Sequence, residues 1–91
     1  SASLFEAMAC GCTPVVSDLE ANRNWVEHGV TGKLVPLHNP PALAQSLVDT
    51  WNDKALRQHA RTANHDRVQA EACIASNVKQ FLERYDEILK A

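Results

Sequence analysis

The 91-residue sequence predicts an α/β fold with two short parallel strands and about five helices, ending in a long amphipathic helix. Three observations carry this. Segments of helical character alternate with short β-branched runs, the order of a doubly wound parallel sheet. The strand runs, Thr13–Val16 and Lys33–Val35, are largely apolar without alternation, as in strands buried on both faces. Near the end, Ile74, Val78, Phe81, Leu82, Tyr85, Ile88 and Leu89 recur at helical spacing, with Lys79, Glu83, Arg84 and Glu87 on the other face.

Taken in order, Ser3 to Cys10 reads as a helix, with Ser3 as N-cap and Gly11 as the left-handed residue that ends it. Pro14 is compatible with the start or edge of the strand that follows. Ser17 and Asp18 place polar groups at that strand's carboxyl end, where open α/β sheets bind ligands. A short helix is expected from Asn22 to His28, closed by Gly29, with Trp25 and Val26 facing the sheet. Asn22 either caps this helix or reaches a ligand. His28 has no acid–base partner in sequence.

After the second strand and Pro36, Leu37-His38-Asn39 reads as a loop, and Asn39 caps a helix that has Pro40 at N1. Leu43, Leu47 and Trp51 form its apolar stripe. Asp53 caps the next helix, about Lys54 to Asn64. Asn64-His65-Asp66-Arg67 reads as a polar joint, so residues 1–64 are expected to form one partial domain and 65–91 a helix packing back on it. At about 1.5 Å per residue, the last helix, Ala72 to Leu89, is about 27 Å long.

Composition sets outer limits. A net charge of −2 and a pI near 6.0 carry no footprint for nucleic acid or an anionic membrane surface. No stretch approaches the roughly 18–20 apolar residues of a membrane span. The three cysteines, Cys10, Cys12 and Cys73, lack metal-ligand spacing and read as reduced thiols, which with no secretory leader points to the cytoplasm. The sequence opens without methionine, and is expected to continue a longer protein.

The start of the first helix is the candidate site. With Ser3 as cap, the N–H groups of Leu4, Phe5 and Glu6 precede the hydrogen-bond ladder, and such a terminus suits a phosphate. Glu6, one turn in, is placed to accept hydrogen bonds from sugar hydroxyls. The same Ser3-x-x-Glu6 spacing is that of a capping box, in which Glu6 bonds back to the Ser3 amide.

At these residues a resemblance appears. Phe5-Glu6-Ala7-Met8-Ala9-Cys10-Gly11-Cys12-Thr13-Pro14-Val15-Val16-Ser17-Asp18 resembles the EAMA-x-G-x-PVV segment of retaining glycosyltransferases of family 4, which have the GT-B fold. The similarity extends through Asn22 and Trp25–Pro36, and more weakly through Pro41–Ala44. It implies the C-terminal portion of a Rossmann-like parallel-sheet domain. That agrees with the strand count, since two short strands are too few for the helices they must support. The resemblance also implies that Glu6 contacts the nucleotide ribose and that the backbone at Ser3, Leu4 and Phe5 faces the diphosphate. The family's earlier glutamate, which contacts the donor sugar, would lie upstream of Ser1, as would the basic residues that neutralise the diphosphate. The run before Glu6 departs from the family, which has glycine and bulky aliphatics there.

The implied function is donor binding in transfer of a sugar from a nucleotide-diphosphate sugar to an acceptor. Its partners would be that donor and the missing N-terminal part of the same enzyme, with no nucleic acid. Any peripheral membrane contact would come through the full-length protein. No cofactor or metal is implied, no Asp-x-Asp motif occurs, and no residue in the chain is assigned as catalytic. Alone, the 91 residues are expected to be inactive. The alternative functions are a non-catalytic α/β module binding a phosphorylated ligand or partner, and a helical interaction piece built on the final stripe.

Overall fold

The computed structural model describes residues 2–71 and 74–90, so Ala72 and Cys73, which the sequence assigns to the last helix, lie outside the described residues. In order, the elements are α1 (Ala2–Ala9), β1 (Val15–Ser17), α2 (Glu20–Arg23), β2 (Lys33–Val35), α3 (Pro40–Asn52), α4 (Lys54–Glu71) and α5 (Ile74–Lys90). The α/β class, the parallel strands and the final long helix are as the sequence predicts, and fit a Rossmann-like fragment.

The helix α1 begins at Ala2, so Ser3 lies within its first turn and not at the N-cap. Its end follows the expected chemistry. Gly11 has φ +82°, its N–H bonds Met8 O at 3.0 Å, and the Cys12 N–H bonds Ala7 O at 3.0 Å. These two bonds form a Schellman motif, which satisfies the last carbonyls and turns the chain into β1.

The strands pair in parallel, with Val15 opposite Lys33, Val16 opposite Leu34 and Ser17 opposite Val35. The Lys33 N–H bonds Pro14 O and the Asp18 N–H bonds Val35 O, both at 2.8 Å. Alternation therefore turns the Leu34 N–H, and on the other strand those of Val15 and Ser17, toward the outer edges. The β2 edge is closed by a side chain, because His28 Nδ1 accepts from the Leu34 N–H at 3.0 Å. That requires the tautomer with hydrogen on Nε2. At the β1 edge the Ser17 carbonyl accepts from Asn22 Nδ2 and from the Leu19 N–H, both at 2.8 Å.

Gly32 sits against β1 so closely that a Cβ would lie 2.5 Å from Pro14 O and 3.0 Å from Val26 Cγ1. The helix expected over Asn22–His28 is a single turn, Glu20–Arg23. Beyond it the chain unwinds, which lets Val26 enter the core and His28 reach β2. The core joins Leu4, Met8, Val26 and Val68, with Val16, Trp25 and Leu34 packed against it.

A further correction concerns α4, which runs through the expected joint to Glu71. Neither glycine nor proline interrupts it, and Leu56, Ala60, Asn64 and Val68 form one continuous buried face. Asn64 is 1% exposed. Its Nδ2 donates to Cys12 O at 3.1 Å and Thr31 O at 2.9 Å, tying α4 to the loops that lead into both strands. Three residues on, Arg67 donates to the carbonyls of Trp25 (3.1 Å) and Asn24, with its guanidinium over the Trp25 ring. The starts of α3 and α4 are capped as read: Asn39 Oδ1 accepts from the Ala42 N–H at 3.1 Å, and Asp53 Oδ1 from the Leu56 N–H at 3.0 Å.

Among the described residues two apolar stripes are exposed. Leu43, Leu47 and Trp51 of α3 are one, and Val78, Phe81, Leu82, Tyr85, Ile88 and Leu89 of α5 are the other.

Candidate functional site

A cleft of about 720 Å³ opens at the carboxyl ends of the two strands. One wall is the first turns of α1, through Ser3, Leu4 and Ala7. The floor is β1 with Ser17 at its end, and the other wall is Pro36, His38, Asn39 and the start of α3. The parallel register produces this arrangement, since both strands end on the same side and their following loops diverge there. Asn22 fixes one corner through its bond to the Ser17 carbonyl and also lines the cleft, so it clamps the strand end and does not cap α2.

The four sequence-assigned residues divide. Ser3 and Leu4 line the cleft, and both are also engaged in contacts within the chain. Phe5 and Glu6 are not among the lining residues. The Phe5 ring packs edge-on to Trp25, with centroids 4.5 Å apart and planes at 68°. Glu6 is exposed, on the turn that follows Ser3. Because α1 already includes Ala2, Ser3 is not its first residue, and Ser3 and Leu4 both have partners within the chain. The capping box required Ser3 as cap and does not describe this terminus.

Charge is sparse. Arg23 is held by Asp18 at 2.6 Å, and that hydrogen bond, then the carboxylate's charge, raises the Arg23 pKa above its already high value. Among the described residues that line the cleft, His38 carries the one ionisable side chain. Sequence reasoning left it in an unassigned loop. Its place just after β2, at the ligand-binding end of a parallel sheet, was the available signal. No described group of three or more His, Cys, Asp or Glu side chains is arranged to hold a metal ion. No helix among the described residues is long and apolar enough to cross a membrane. His65 and Asp66, 3.4 Å apart, are exposed on α4.

Comparison with known proteins gives the family. The family described as glycosyl transferases group 1 matches residues 1–53. A phosphatidyl-myo-inositol mannosyltransferase of Mycobacterium leprae is 35% identical over 82 residues, covering 88% of this chain and 22% of that protein. One from Mycolicibacterium smegmatis is 41% identical over 54 residues, covering 59% of this chain and 14% of its own length. One from Mycobacterium tuberculosis is 34% identical over 86 residues, covering 88% and 23%. The chain thus spans less than a quarter of the length of these relatives. No solved structure matches it significantly. The family match takes in more than half of the chain and every residue that lines the cleft, and the chain belongs to the group 1 glycosyl transferases.

Proposed function

We propose that this chain is the donor-binding part of a retaining, GT-B glycosyltransferase that uses a nucleotide-diphosphate sugar. The observation that carries the proposal is the cleft at the carboxyl ends of β1 and β2, walled by the first turns of α1. The diphosphate would lie against that helix start, where the dipole favours negative charge. Glu6, exposed beyond Ser3, would accept hydrogen bonds from the ribose hydroxyls at the cleft's rim, outside the lined volume.

The remainder of a longer enzyme, in the cytoplasm, would supply the acceptor site and the donor-sugar contacts. Further strands of that enzyme would pair with the outer edge of β1, whose Val15 and Ser17 N–H groups face away from β2. The α5 stripe would pack back on the assembled domains. On this reading the 91 residues alone transfer no sugar.

The test is a donor titration of the full-length enzyme, beginning with a nucleotide-diphosphate mannose because the matched relatives are mannosyltransferases. Glu6→Ala is expected to weaken binding by about 1.5–3 kcal/mol, the range for a hydrogen bond to a charged group. Unchanged affinity in a folded variant would remove Glu6 from the ribose site.

A further inference from the structure

The loop between β2 and α3 is held at both ends. Val35 pairs with Ser17 on one side, and on the other Asn39 caps α3 through the Ala42 N–H and its own carbonyl accepts from the Leu43 N–H. Between them His38 has φ +55°, the left-handed region, and is the one non-glycine residue among those described with positive φ. Glycine takes this conformation at no steric cost, whereas histidine, one of the side chains that enter it more often than most, does so at a small cost. Strain of this kind at a ligand cleft is kept where the side chain is needed. No hydrogen bond or ion pair with a described residue engages the His38 ring, and it lines the cleft.

The wall it stands on has little else to offer an anion. Helix α3 directs its positive end at the cleft, but Pro40 and Pro41 have no N–H, and the next two N–H groups are taken by Asn39. This wall attracts negative charge, yet its helix start presents no free N–H donor. The His38 ring carries at least one N–H in either protonation state.

We propose that His38 is a positioning residue for the donor, giving a hydrogen bond to a phosphate oxygen of the nucleotide diphosphate from the wall opposite α1. This rests on the donor-site reading above and adds a second, side-chain contact to it. The anion would then be held between the α1 terminus and the imidazole.

The test uses the full-length enzyme with guanosine and uridine diphosphates, and the corresponding nucleosides, as probes. His38→Gly is expected to leave thermal stability unchanged or raised, because the strain is relieved. It should weaken whichever diphosphate binds by about tenfold while leaving nucleoside affinity unchanged. His38→Asn tolerates the left-handed backbone and keeps an N–H donor, so it should recover most of the loss. Equal diphosphate affinity in wild type and His38→Gly would overturn the proposal, as would a His38→Gly variant that loses stability and nucleoside binding together. If Glu6→Ala weakens binding and His38→Gly does not, the His38 assignment falls and the donor site stands. If wild type binds neither diphosphate, both fall.

Discussion

Asn64 offers the sharpest test of how the cleft is held together. Its side-chain amide is the one described group that hydrogen-bonds to both loops feeding the sheet, at Cys12 O and Thr31 O. Asn64→Leu keeps the branched outline of the side chain, with methyl groups in place of the amide atoms, and removes both donors. A typical hydrogen bond contributes about 1 kcal/mol net, and a buried carbonyl left unpaired costs about 1–3 kcal/mol. Cys12 is exposed, so water recovers part of its loss, and the two together come to about 2–3 kcal/mol. Asn64→Asp is the harsher change. It puts a carboxylate, at a site only 1% exposed, where Nδ2 lies within 3.1 Å of two carbonyl oxygens. Burying an unpaired charge adds about 2 kcal/mol or more, so the total is about 4–5 kcal/mol. Burial and the carbonyls raise that carboxyl's folded-state pKa above its unfolded value, so the excess penalty is present at neutral pH and shrinks as pH falls through the raised value. Urea unfolding monitored by circular dichroism gives both numbers from the shift in midpoint at fixed slope. A leucine variant within about 0.5 kcal/mol of wild type, or an aspartate variant no worse than leucine at pH 7, would refute the staple.

Two further substitutions probe the frame of the same cleft. Gly32→Ala forces a Cβ to 2.5 Å from the Pro14 carbonyl and 2.8 Å from the Pro14 ring, neither of which is a flexible side-chain end, so a loss of about 2–3 kcal/mol is expected in the same unfolding assay. Asn39→Ala removes the α3 cap beside His38 and should lower stability by about 1 kcal/mol, while Asn39→Asp should hold close to wild type.

Much of this architecture was legible because it is written locally. Gly11, Asn39 with Pro40, and Asp53 each announce a helix boundary through their own backbone or side-chain chemistry, and β2 was bounded by Gly32 and Pro36. What local reading missed was set by distant partners. Asn64 to Arg67 looks like a polar joint until Cys12, Thr31, Asn24 and Trp25 supply the carbonyls that absorb Asn64 and Arg67. The helix after β1 stops at Arg23 because Val26 is drawn into the core and His28 to the β2 edge. At the candidate site, the resemblance singled out Ser3, Leu4, Phe5 and Glu6. That Ser3 and Leu4 share a cleft with Ser17, Asn22 and His38 follows only from the parallel register of β1 and β2.

The most direct measurement is a crystal structure of the full-length enzyme with a nucleoside diphosphate bound. The donor-site reading predicts the diphosphate against the first turn of α1 in the cleft between Ser3 and His38, with the Glu6 carboxylate on the ribose hydroxyls. A nucleotide seated elsewhere, with this cleft filled by packed side chains of the longer chain, would contradict it.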